Sequence, residues 1–142
     1  MKRILTTVAL LACLAVGAQA QQADSTAFRA YIYNKEYDVY MRINFYEQDV
    51  VIPWQELFGP LPGFLAKDGN SNCWIVTDAT VNGRKAELEM VNDTGSDDLR
   101  ATLTQLNDST YVLRQGSGST IKVPNNNKWQ KLPATLTFIR RK

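Results

Sequence analysis

The chain has no histidine and only two cysteines, Cys13 and Cys73, among its 142 residues. Without histidine there is no Ser-His-Asp or Cys-His nucleophile system, no usual zinc ligand set, and no ready general base near neutral pH. Apolar runs of bilayer length are missing too, and no long stretch shows helical periodicity. Carboxylates that could serve glycoside hydrolysis do not converge. Asp97 and Asp98 are adjacent, so a strand points them to opposite faces. Glu87 and Glu89 share a face beside Lys85, the pattern of a solvated strand surface. These absences assign no catalytic residue, no metal and no cofactor, and they favour binding over enzymatic function.

What is present begins with an address. Lys2 and Arg3 precede an apolar run from Ile4 to Gly17, and Ala18-Gln19-Ala20 then offers the small residues that a signal peptidase requires. Residues 1–20 therefore read as a cleavable export signal, and residues 21–26 as a flexible start to the mature chain. The expected destination is the periplasm or the extracellular space. Leu10-Leu11-Ala12-Cys13 loosely resembles a lipoprotein cleavage site, so a lipid anchor at Cys13 is the minor alternative. The apolar run continues past Cys13, which counts against it. Cleavage after Ala20 removes two of the 16 basic residues and none of the 14 acidic ones, leaving a balanced domain. Such a domain has no global pull toward nucleic acid or anionic membrane. Cys73 is then the sole cysteine and forms no intramolecular disulfide. It lies in Cys73-Trp74-Ile75-Val76, where a buried structural thiol is expected.

From residue 27 onward a period of two dominates. Tyr37, Val39, Met41, Ile43 and Phe45 alternate with polar neighbours, as do Ala86, Leu88 and Met90, and then Leu99, Ala101 and Leu103. Asn34-Lys35, Asn82-Gly83, Asn92–Ser96, Asn107–Ser109 and Gly116–Ser119 punctuate the runs, with Asn82-Gly83 suited to a type I′ hairpin. Eight or nine short strands in one domain, residues 27–142, predict an all-β antiparallel meander. It would form a small closed or nearly closed barrel, with a β-sandwich as the alternative.

Pro53 to Leu65 breaks the pattern with three prolines, two glycines and a concentration of aromatics. It is expected to be a loop rather than a central strand. Either it offers Trp54, Phe58 and Phe64 to a ligand or partner, or it plugs one end of the barrel. Tyr40, Arg42 and Tyr46 lie on the polar face of the long strand and could bind sugar or carboxylate, although cross-strand pairing on a wet face is the simpler account of them.

Tyr37-Asp38-Val39-Tyr40, Ile43-Asn44-Phe45-Tyr46, Phe58-Gly59 with Leu61-Pro62-Gly63, Gly116–Ser119 and Lys128-Trp129 with Lys131-Leu132-Pro133 resemble a group of small secreted proteins of gut Bacteroidota. The closing strand, apolar and ending at Arg140, is similar to lipocalin-like barrels, although the early Gly-x-Trp of lipocalins is absent. The resemblance implies no catalytic residues. It does imply O-glycosylation at Asp-Ser/Thr-methyl motifs, which places Ser25 and Ser109 as acceptors in Asp24-Ser25-Thr26 and Asp108-Ser109-Thr110. Plain turn chemistry accounts for the same residues. Asn92-Asp93-Thr94 and Asn107-Asp108-Ser109 are also N-glycosylation sequons, relevant only to a eukaryotic secretory pathway.

The functional expectation is an exported, non-catalytic binding protein. It would hold an apolar small ligand in the barrel or a protein partner at the 53–65 loop. A cell-envelope structural protein, or an inhibitor or immunity-type factor, is the alternative, with a carbohydrate-active enzyme behind both. No nucleic-acid partner and no membrane span are expected.

Overall fold

Alternate side chains of a strand point to opposite faces, so each half-apolar run needs a shared interior to bury its apolar half. A computed structural model describes residues 26–141 and shows how the chain provides it. The strands are β1 (Arg29–Asn34), β2 (Val39–Asn44), β3 (Gly63–Lys67), β4 (Cys73–Asn82) and β5 (Lys85–Asn92). They continue with β6 (Asp98–Asn107), β7 (Thr110–Gly118), β8 (Lys122–Asn125), β9 (Lys128–Lys131) and β10 (Thr135–Arg140). Eight of these close into an antiparallel barrel in the order β1-β10-β7-β6-β5-β4-β3-β2, and β8 and β9 form a hairpin apart from it. The all-β barrel is the fold, and the sandwich is not. The signal segment at residues 1–20, Cys13 and Ser25 lie outside the described residues. Among the described residues, no helix is long and apolar enough to cross a membrane.

The interior of an eight-stranded barrel is about wide enough for side chains to fill, and here they fill it. Ile32, Met41, Leu65, Leu88, Leu103 and Phe138 are all buried in one contiguous core. On β5, Ala86, Leu88 and Met90 point in while Lys85, Glu87 and Glu89 stay in water, as the alternation predicts. The barrel narrows to stacked aromatics at the end where β1 begins. Phe28 stacks on Phe45 with centroids 5.4 Å apart, and Tyr111 meets Phe28 edge-on at 6.3 Å. The Tyr111 hydroxyl donates to the carbonyl of Ala27 and accepts from the Arg140 guanidinium. Arg140 also donates to the carbonyls of Asp108 at 3.1 Å and Arg29 at 3.4 Å.

The opposite end is closed by the β8–β9 hairpin, which contributes Val123 and the flanking Ile121 and Leu132 to the same core. Gln115 pins it there. Its side-chain oxygen accepts the Ile121 N–H at 2.7 Å, and its amide donates to the Pro133 carbonyl at 3.0 Å. The Trp74 indole N–H donates to the Lys122 carbonyl at 3.1 Å.

This hairpin is the end plug, and the Pro53–Leu65 segment is not. That segment instead crosses the outside of the wall and then joins it. Val50 and Leu61 bridge across the loop with bonds of 3.0 and 2.8 Å. Gly63, Phe64 and Leu65 belong to β3, so part of the expected loop is a barrel strand. The reason is burial on both faces. Leu65, Trp74 and Val76 face the interior. Phe64, Ala66, Cys73 and Ile75 form a second cluster outside, roofed by Ile52 with Val50 and Leu61. A strand buried on both faces shows no alternation, so periodicity does not reveal it.

Turn positions differ in detail. β1 runs through Asn34, whose side chain accepts the Tyr37 N–H at 2.8 Å, so Tyr37 and Asp38 lie in the turn. β2 ends at Asn44, whose side-chain oxygen takes the N–H groups of Tyr46 and Glu47 at 3.2 and 3.1 Å. The long strand expected through Tyr46 is thus shortened at both ends by asparagine capping its neighbours' backbone. In the β4–β5 hairpin Asn82 pairs with Lys85, leaving Gly83 and Arg84 as the turn. Positive φ falls on Gly83 and not on Arg84, which is the II′ rather than the I′ pattern.

β3 lies so close to β2 that a Cβ on Gly63 would stand 2.5 Å from the Arg42 carbonyl oxygen. Gly63→Ala is expected to destabilise the protein by about 2 kcal/mol, lowering Tm by roughly 5–10 °C in a thermal melt. Leu57→Ala, at a fully exposed side chain, is expected to leave Tm nearly unchanged.

Candidate functional site

Because β2 sends Val39, Met41 and Ile43 inward, Tyr40 and Arg42 project from the outer wall. Antiparallel register sets Tyr31 opposite Arg42 and Tyr33 opposite Tyr40, and on the other side sets Phe64 opposite Arg42. The result is a connected strip. The Arg42 guanidinium lies 4.7 Å from the Tyr31 ring centre, and Tyr31 and Tyr40 are 5.5 Å apart. Tyr40 meets Phe64 edge-on at 5.8 Å, and Phe64 meets Trp54 edge-on at 5.7 Å. Arg141 extends the strip by lying 4.4 Å over Tyr33. Such cation–π and edge contacts each contribute about 0.5–1 kcal/mol at an exposed site, so together they order the face.

Electrostatics tune the strip without making it reactive. The Tyr40 phenol is raised above its ordinary value, chiefly by burial. Tyr33 is raised above all by the hydrogen bond it donates to Asp38. Both phenols therefore stay protonated near neutral pH, and that of Tyr33 acts as a donor.

Of the residues singled out in the sequence, Trp54, Phe64, Tyr40 and Arg42 come together here. Phe64 is only 1 % exposed, so it supports Trp54 from beneath instead of meeting a partner. Trp54 is 39 % exposed, with its indole N–H fixed to the Ser71 carbonyl at 2.6 Å. Phe58 is 41 % exposed at the end of a single 3-10 turn, Glu56–Phe58. Tyr46 does not join them. It sits at the aromatic-closed end, where its hydroxyl accepts the Phe28 N–H at 3.1 Å and its ring packs on the main core. Val51 lies beside Tyr31 and Arg42, and Leu57 is fully exposed next to Phe58 in the chain. They escaped the sequence reading because an irregular segment carries no periodicity to assign a facing.

A second concavity of about 290 Å³ lies at the hairpin-closed end, between the 92–97 turn and β8–β9. Asn92 organises its turn, accepting the Asp97 N–H at 3.1 Å and donating to Ser96 at 2.9 Å. Trp129 lines the other side and is 62 % exposed. The hairpin that carries Trp129 was legible in principle: Asn126 and Asn127 both take positive φ, as a type I′ turn requires and asparagine tolerates. Ser109 occupies the exposed β6–β7 turn, where both its N–H and its hydroxyl donate to Asn107, so turn chemistry is in place there.

Among the described residues, no group of three or more cysteine, aspartate or glutamate side chains is placed to hold a metal ion. The fold and the surface together define a small closed β-barrel with an aromatic-arginine outer face. Compared with protein-family models, curated proteins and solved structures, the chain matches none.

Cys73 is buried in the outer cluster, and burial, reinforced by the charge of Asp93, pushes its thiol up to about 11. The ordinary value is 9.0, so as pH rises the unfolded chain ionises first. The contribution of this thiol to stability is whole below pH 9 and is lost between about pH 9 and 11. Cys73→Ala should flatten that part of the stability-versus-pH curve measured by denaturant titration. Iodoacetamide at pH 8 should label Cys73 only after unfolding, as read by mass spectrometry.

Proposed function

We propose that this chain is an exported, non-catalytic binding protein that meets a protein partner through its outer wall. The observation that carries the proposal is the outer face in which partly exposed Trp54 packs on Phe64 beside the Tyr31–Arg42–Tyr40 strip, with exposed Val51 lining the same strip and exposed Leu57 and Phe58 following on the same loop. Aromatic residues and arginine are the side chains most enriched among binding hot spots. Here Tyr31, Tyr40 and Arg42 are held on barrel strands, so little ordering entropy is lost when they dock. Clustered apolar exposure marks an interaction surface, whereas scattered apolar residues do not. The filled interior favours this outer face over an apolar ligand held inside a lipocalin-like barrel. The export pattern of residues 1–20 supports a partner outside the cytoplasm.

The test is a pull-down from the native cell envelope and medium with the mature protein as bait. Combined Trp54→Ala, Leu57→Ala and Phe58→Ala substitutions should weaken recovery of the specific partner more than tenfold while the far-UV circular dichroism stays unchanged. Undiminished recovery by the folded triple variant would refute the outer-wall site.

A further inference from the structure

The concavity at the hairpin-closed end has the chemistry of a different ligand. We propose that it is a binding site for the terminal ring of a neutral saccharide. Trp129 supplies an apolar platform. It is 62 % exposed, and its indole N–H has no partner among the described residues. The strand beneath it is held firmly: Lys67 donates to the Asn125 side chain at 3.2 Å, Trp74 to the Lys122 carbonyl at 3.1 Å, and Leu132 N–H to the Ile121 carbonyl at 2.9 Å. An indole displayed on a fixed hairpin presents a flat apolar face in water. A pyranose ring matches it, with C–H groups on its faces and hydroxyls around its edge.

The facing wall supplies what that hydroxyl edge needs. Thr94, Ser96 and Asn92 carry groups that both donate and accept, in part engaged with one another (Thr94 with Ser96 at 3.1 Å), and Asp93 and Asp97 carry carboxylates that accept only, Asp97 also accepting from Ser119 at 3.4 Å. The turn is already ordered by its own bonds, Asn92 to Ser96 and Asp97, and Asp93 N–H to the Cys73 carbonyl at 3.0 Å. The Asp93 carboxylate makes no hydrogen bond to any described residue, so it remains available to vicinal hydroxyls. Size and charge narrow the ligand further. About 290 Å³ is at the lower end for small-molecule pockets, room for one ring and not for a long chain. Two carboxylates against the single ammonium of Lys122 make the lining negative and disfavour uronates, sialylated sugars and phosphates.

The full mature protein, labelled with ¹⁵N, can be titrated with maltotriose, cellotriose, chitotriose and mannotriose. The chain has three tryptophans, hence three indole N–H signals. Saturable movement of the Trp129 signal by at least one of these sugars is expected, with a Kd of about 1 mM or tighter. Trp129→Ala and Asp93→Asn should each weaken that binding at least tenfold without lowering Tm, since Trp129 is exposed and Asp93→Asn keeps the side chain's size and the backbone bond to Cys73. Trp54→Ala should leave it unchanged, which separates this site from the outer-wall patch. Glucuronate should bind more weakly than glucose. No saturable shift with any of the four sugars, or binding indifferent to Trp129→Ala, would overturn the proposal.

Discussion

The seam between β1 and β10 is short, with Ile32 opposite Arg140 and Tyr33 opposite Ile139. It is extended by the Arg141 N–H reaching the Tyr31 carbonyl at 2.7 Å. A ladder this brief needs reinforcement, and Arg140 provides it. Its guanidinium joins the Tyr111 hydroxyl on β7 to the Arg29 carbonyl on β1 and the Asp108 carbonyl in the β6–β7 turn. One planar cation with several donors can satisfy such divergent acceptors where a lysine ammonium would match the geometry less well. Burial raises the Tyr111 phenol above its ordinary value even though Arg140 lowers it, so the hydroxyl remains a donor to Ala27. Closure removes the exposed edges that would otherwise invite pairing with other chains.

Closure also decides where binding chemistry can reside. With eight strands the interior is consumed by core side chains, and both ends are occupied, one by Phe28, Phe45 and Tyr111 and the other by the β8–β9 hairpin. What is left is the outside of the wall and the rim. The outer cluster around Cys73 and Phe64 lets the 50–62 segment lie flat, and this raises Trp54 and Phe58 to the surface. The hairpin that plugs the rim does the same for Trp129. Trp54 rests on buried Phe64 and Trp129 on a hairpin anchored by Val123, so the core sets the position of both, whereas Phe58 rides on a turn with no buried residue.

Much of this architecture is legible in residue order. The alternation of Ala86, Leu88 and Met90, or of Leu99, Ala101 and Leu103, assigns strand and facing together, because only one face of each run can be buried. The segments that escaped are those where this logic fails. β3 and the start of β4 are apolar on both faces, so nothing in Gly63–Lys67 separates an inner from an outer side chain. Tyr46 continues the alternation yet leaves the strand, because the Asn44 side chain captures its N–H and turns the backbone away. Of the candidate site, Tyr40, Arg42, Trp54 and Phe58 were visible as residues. Their adjacency, and the support beneath Trp54, were not.

The sequence alone determined the class of fold and the chemistry the chain lacks: it has no histidine and one thiol after residue 20. Period-two patterning and short turns are local properties, and local properties specify strands and hairpins. Only the tertiary structure decided which strand closes the barrel, which segment plugs it, and which aromatics share a face. Those outcomes depend on register and on contacts between residues far apart in the chain, such as Arg140 with Arg29 or Trp54 with Ser71. No pattern of neighbours along the sequence encodes them separately from the packed whole.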